Sequence, residues 1–113
     1  MFNTELYKKH LETDSLGQKI IYSSSTSSTN DSIWISEYGI ASGLVLVAEE
    51  QTSGRGRSGH TWFSSAKKSL TFSLLSNLNE IDINKGMVPI AVGLCVCESI
   101  NETIEQEASI KWP

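Results

Sequence analysis

No stretch of this 113-residue chain approaches the ~20 consecutive apolar residues that a bilayer-spanning helix needs. The N-terminus, Met-Phe-Asn-Thr-Glu-Leu, has no basic segment leading into a hydrophobic one, so it does not read as a secretory leader. The expectation is a cytoplasmic protein without a membrane partner. Cysteine is scarce as well, with Cys95 and Cys97 the only two. On a helix their i,i+2 spacing points them to different sides, which suits neither an intrahelical disulfide nor a two-ligand metal clip. Two reduced core thiols are expected and no metal site is assigned. Excess positive charge is also missing, and a net charge of −4 argues against a nucleic-acid-binding surface.

What is present is a globular composition, 39% hydrophobic and 19% charged with all three aromatic types, in a length that fits a single domain over residues 1–113. The charge is uneven. Between Gln51 and Lys68 there is no acidic residue, while Arg55, Arg57, Lys67 and Lys68 contribute +4, leaving −8 for the rest of the chain. One basic loop on an acidic body suits a small anion better than a long phosphate backbone.

The patterning alternates between helix and strand. Residues 4–13 read as a short amphipathic helix carrying Leu6, Tyr7 and Leu11, which Gly17 ends, and Ile20-Ile21-Tyr22 reads as a strand running into the polar stretch Ser23–Ser28. Ser27 to Asn30 are good N-cap residues for a helix with Ile33, Trp34, Ile35 and Tyr38 on its apolar stripe, stopping before Gly39. Leu44–Ala48 is a continuous apolar run typical of a strand covered on both faces. Ser69–Leu75 alternates, with Leu70, Phe72 and Leu74 on one face and Ser69, Thr71 and Ser73 on the other, as in a half-exposed strand. From Asp82 to about Ile104 the apolar residues Met87, Ile90, Ala91, Leu94, Cys95 and Ile100 recur at helical spacing, with Pro89 expected in the first turn or at a break. Ala108–Trp112 reads as a last strand. The fold class is therefore α/β or α+β, a mixed β-sheet flanked by helices. A final strand ending at Pro113 would leave a sheet edge for a partner segment or an oligomer to cover, so a truncated domain is expected.

The chemistry concentrates in Gly54-Arg55-Gly56-Arg57-Ser58-Gly59, directly after a buried strand. Glycines permit positive φ and close backbone approach, and guanidinium groups pair with carboxylate or phosphate oxygens. The letters also fit G-x-G-x-x-G, but a dinucleotide fold needs a helix opening at the loop, and His60-Thr61-Trp62-Phe63-Ser64-Ser65 is short, aromatic and serine-rich. A Walker loop fails because no Lys-Ser or Lys-Thr follows at the required spacing. The bland alternative is a solvated turn in which arginine supplies solubility. Trp62, in an otherwise polar basic loop, offers an aromatic face for a bound ring, although a loop anchor is the commoner use of a lone tryptophan. His60 reads as a solvated loop residue and His10 as helix surface.

The run Glu50–Trp62 resembles the signature of biotin protein ligases, whose loop reads G-R-G-R-x-G-x-x-W. Ser28-Thr29-Asn30 is similar to that family's S-T-N motif, and Lys111-Trp112-Pro113 to the start of its K-W-P-N-D motif, all in the family's order from about Ile20 to Pro113. The resemblance implies the N-terminal portion of a catalytic domain like that of class II aminoacyl-tRNA synthetases, and a two-step reaction. Biotin is activated by MgATP to biotinyl-5'-adenylate and then transferred to a lysine of a biotin carboxyl carrier protein. It implies that Ser28, Thr29, Asn30 and Gln51 meet biotin, that Gly54, Arg55, Gly56 and Arg57 close on its carboxylate and the phosphate, that Trp62 covers the adenylate, and that Lys111 opens the nucleotide side. Arg55, Arg57 and Lys111 are the candidate catalytic residues; Mg2+ and ATP accompany biotin. Only 27 residues precede the S-T-N motif, too few for the helix-turn-helix that some members carry, so DNA is not an expected partner. A lipoate-ligase-like enzyme and a non-catalytic biotin- or anion-binding module are the alternatives.

Overall fold

Val45, Leu46, Val47 and Ala48 have nothing polar to offer solvent on either face, and the chain buries all four in a central strand. In the computed structural model, which describes residues 1–80 and 82–111, the chain divides into two compact units, Met1–Asn77 and Leu78–Pro113. The first begins with helix α1 (Thr4–His10), whose Asn3 side chain accepts the Leu6 amide at 2.9 Å and whose last turn carries Lys8, Lys9 and His10 toward the negative end of the helix dipole. Strand β1 (Ile20–Ser23) follows, then helix α2 (Thr29–Ser32) with a 3-10 turn at Ile33–Ile35, and the central strand β2 (Val45–Ala48). A small hairpin, β3 (Gly54–Arg55) and β4 (Thr61–Trp62), precedes β5 (Thr71–Leu74).

The main sheet has the order β1-β2-β5. β1 lies parallel to β2 with Ile20 opposite Val45, and β5 lies antiparallel with Leu74 opposite Val45. The sheet is therefore mixed, as expected. Ile33, Leu44, Leu46 and Leu75 form the core, with Ile21 and Ala41 packed against them. Gly43 enters β2 at φ +84°, and a Cβ there would stand 2.6 Å from the Ser15 carbonyl oxygen, so the strand's entrance needs glycine twice over. At the other end of β2, Glu49 accepts the Phe2 amide at 2.5 Å and the Tyr22 hydroxyl at 3.2 Å and lies 3.7 Å from the N-terminal ammonium. The Phe2 hydrogen bond holds its carboxyl below the usual carboxylate range; burial opposes this, and the ammonium and Tyr22 reinforce it. Tyr22 is raised in turn, first by desolvation and then by Glu49.

Two expectations fail in this unit. The helix read from Ser27 to Tyr38 is one α-turn and one 3-10 turn, and of its stripe only Ile33 is buried, while Trp34, Ile35 and Tyr38 are exposed. In β5 the faces are reversed. Ser73 is buried whereas Phe72 and Leu74 are exposed, because the inward face meets the polar start of α2.

The second unit holds 3-10 turns at Leu78–Glu80 and Lys85–Met87 and the long helix α3 (Val88–Thr103), with Pro89 in the first turn where its missing N–H costs nothing. Cys95 is exposed and Cys97 half-buried, both free, so they are not core thiols. The strand expected from Ala108 is not formed at residues 108–111. Asn101 takes its backbone groups instead, accepting the Ala108 amide at 2.6 Å and donating to its carbonyl at 3.2 Å, with Cys97 Sγ donating to the same oxygen. Trp112 and Pro113 lie outside the described residues. Among the described residues no helix is long and apolar enough to cross a membrane.

Candidate functional site

The parallel pairing of β1 and β2 continues past both strands. Thr26 N–H donates to Glu50 O at 3.1 Å, Thr52 N–H to Thr26 O at 3.0 Å and Ser53 N–H to Ser27 O at 2.8 Å. This ladder delivers Ser28-Thr29-Asn30 to the side of Gln51. Ser28 stands at the N-cap of α2 but makes no side-chain cap bond, and the Gln51 side chain does that work from across the ladder. Gln51 Oε1 accepts the Thr29 backbone N–H at 2.8 Å and the Thr29 hydroxyl at 3.1 Å. Gln51 N–H in turn donates to Ser64 Oγ at 3.0 Å.

Ser73, coming up from β5, completes the cluster. Its Oγ lies 2.6 Å from Asn30 Oδ1, to which it donates, and 2.9 Å from Thr29 Oγ1. Ser28 and Thr29 are each only 3% exposed and Ser73 9%, and no buried side-chain polar atom among the described residues lacks a partner. The buried hydroxyls of Thr29 and Ser73, bonded to the half-buried Gln51 and the exposed Asn30, hold one geometry, because rotating either hydroxyl would strand a donor or acceptor in a low-dielectric setting.

The glycine-arginine segment is a hairpin. Gly54 pairs with Trp62 and Arg55 with Thr61, and Gly56 N–H donates to His60 O at 2.6 Å across the turn Arg57–Gly59. Gly54 is required by proximity, since a Cβ there would fall 2.5 Å from the Trp62 carbonyl oxygen and 2.8 Å from Gln51 Nε2. No helix opens at the loop, so the dinucleotide reading fails on geometry as well as on sequence. The Arg55 guanidinium pairs with the Asp31 carboxylate in α2. Arg57 is exposed in the turn, and His60 and His10 are exposed too.

A cavity of about 270 Å³ opens between these elements, lined by Ser28, Thr29, Asn30, Gln51, Arg55 and Trp62, with Leu70, Phe72 and Ser73 on the β5 side. A second, of about 670 Å³, follows the hairpin and includes Gly54 and Gly56; Arg55 borders both. The fold thus gathers six of the expected residues on one concavity and two more on its neighbour. Arg57 borders neither, and Lys111 belongs to the second unit, where it is exposed. Hydroxyls, amides, one guanidinium and two aromatic rings suit a small ligand with a polar ring at one end and an anion at the other. Ser73, Ser64 and Asp31 are the participants that sequence reasoning missed. The serine alternation in β5 was a signal for the first; the other two carry no signal outside the three-dimensional arrangement.

A family model described as the Biotin/lipoate A/B protein ligase family matches residues 22–113. The chain is 35% identical over 75 residues to a biotin–[acetyl-CoA-carboxylase] ligase of Mycobacterium tuberculosis, covering 63% of this chain and 28% of that protein. It is 31% identical over 121 residues to the human biotin–protein ligase, covering 99% of this chain and 16% of that one. Among solved structures, the biotin protein ligase of Aquifex aeolicus in complex with biotin and ATP matches with a TM-score of 0.73 at 36% identity, over 85% of this chain and 40% of that one. The biotin acetyl coenzyme A carboxylase synthetase of Helicobacter pylori, at 23% identity, TM-score 0.66, and coverage of 84% of this chain and 46% of that one, shares the fold. The mixed sheet, the order of the motifs and these likenesses agree: the chain belongs to the biotin/lipoate A/B protein ligase family, and within it to the biotin protein ligases.

Proposed function

We propose that the chain supplies the biotin-binding side of an enzyme that activates biotin with MgATP and transfers it to a lysine of a biotin carboxyl carrier protein. The observation that carries this reading is the convergence of Ser28, Thr29, Asn30, Gln51, Arg55 and Trp62 on one cavity. In the first step an oxygen of the biotin carboxylate attacks the α-phosphorus of ATP, the bond to the bridging oxygen of the β-phosphate breaks, and pyrophosphate leaves. In the second a neutral lysine amine attacks the acyl carbon, the bond to AMP breaks, and the amine loses a proton as the amide forms.

Each residue has a role that its chemistry suits. Ser28, Thr29, Asn30 and Gln51 hydrogen-bond the ureido ring, and Trp62 covers the adenylate and keeps water from the anhydride. Arg55 and Arg57 neutralise the carboxylate and α-phosphate as they approach, with Gly54 and Gly56 letting backbone amides come close. Lys111 contributes on the nucleotide side. The two compact units are parts of one catalytic domain in this reading, and the cytoplasm, which supplies ATP and carrier protein, is the compartment proposed for it.

The chain spans well under half the length of the relatives it matches, so we expect it to bind biotin without turning it over. Calorimetry with biotin and with lipoate, beside an incubation with biotin, MgATP and an apo carrier, tests both parts. Biotin binding with no biotinylated lysine is the expected result. Absence of biotin binding, or preference for lipoate, would sink the substrate assignment; robust turnover would sink the claim of incompleteness.

A further inference from the structure

Arg55 is the cation of the smaller cavity, yet its guanidinium is already engaged by Asp31, the residue directly after the Ser28-Thr29-Asn30 turn. Two features make this pair easy to exchange. The Arg55 and Asp31 side chains are 68% and 52% exposed, a setting in which an ion pair contributes little and salt screens it. Arg55 also has Gly54 and Gly56 as its chain neighbours, so no adjacent side chain hinders its long exposed side chain from turning to a new partner. Nothing in the proposed reaction uses a carboxylate at this position.

We infer that Asp31 is a positioning residue that parks Arg55 at the rim of the cavity, and that an arriving carboxylate or phosphate takes the guanidinium over from it. The inference rests on the biotin reading above. Both anions present oxygens to the same planar fork of donors, so the ligand competes with Asp31 rather than adding to it. The internal partner therefore lowers the affinity of the resting site and keeps the arginine from collapsing elsewhere.

The full chain carrying Asp31→Asn, Arg55→Ala or both decides this by calorimetry with biotin. Asp31→Asn should tighten binding by about two- to fivefold, the scale of one exposed ion pair. The gain should vanish in the Arg55→Ala background and shrink as ionic strength rises, while Asp31→Glu, which keeps the charge, stays near the parent. Phenylglyoxal labelling read by mass spectrometry gives a measurement free of biotin: Arg55 should react faster in Asp31→Asn than in the parent, with Arg57 as internal reference. Unchanged or weakened biotin binding in Asp31→Asn, an equal gain without Arg55, or unchanged Arg55 labelling would each overturn the inference. Should the parent not bind biotin at all, the substrate assignment fails separately. Labelling with and without inorganic pyrophosphate then decides the exchange, with protection of Arg57 but not of Arg55 counting against it.

Discussion

The two halves of the site are built on opposite principles. Around Thr29, Gln51 and Ser73 the polar groups are buried or half-buried and linked to one another across three separate segments of chain. Around Gly54–Gly59 the side chains project into solvent, and Arg55 is tied back by a single exposed ion pair. A ring that must be told apart from similar rings needs donors and acceptors fixed before it arrives. A charge that must be neutralised only when ligand is present is better carried on a segment that can close over it.

The contrast can be broken or sharpened by three experiments, beginning with the largest effect. Gln51→Ala removes the acceptor for two Thr29 donors, one of them a buried backbone N–H. Denaturant unfolding should show a loss of about 2–4 kcal/mol, since each stranded buried group costs about 1–3 kcal/mol, and biotin binding should disappear with it. A variant of parental stability would mean that the buried half is less rigid than its hydrogen bonds indicate. Arg55→Ala should behave in the opposite manner, weakening biotin binding by about ten- to a hundredfold, the scale of a charge-assisted hydrogen bond. Its unfolding free energy should change by no more than about 0.5 kcal/mol.

The smallest effect concerns Glu49, which lies in neither half. Its folded-state pKa is lowered, so it contributes stability that is present above the normal carboxylate range and is lost as pH falls through the folded value. Stability should therefore decline on acidification over that window in the parent and less steeply in Glu49→Gln, with biotin affinity at neutral pH the same in both. A change in affinity would tie the N-terminal clamp to the site.

Much of this was legible in the sequence, and the failures have physical causes. Leu44–Ala48 could be read because an uninterrupted apolar run has one comfortable location, and the S-T-N and glycine-arginine motifs pointed to residues that border a shared cavity or its neighbour. Periodicity showed correctly that Thr71 and Ser73 share a face opposite Phe72 and Leu74, but it cannot say which face is inside. Here the inward face of β5 carries Ser73 into the polar cluster beside the core residue Leu75, while Phe72 and Leu74 are exposed. The strand expected at Ala108 failed for a different reason: one asparagine on α3 took the backbone groups that a neighbouring strand would have paired, a competition that local propensity does not record.

Gln51 bears one more consequence. A backbone N–H can only donate, so the Thr29 amide requires an oxygen opposite it and thereby orients the whole carboxamide, turning the NH2 toward Gly54. A glutamate would fit the same volume and accept the same two bonds, yet it would present a second acceptor and a negative charge where the amide presents hydrogens. The handedness of one amide, set by a helix end, therefore determines whether the floor of the cavity greets its ligand with a donor or with a repelling anion.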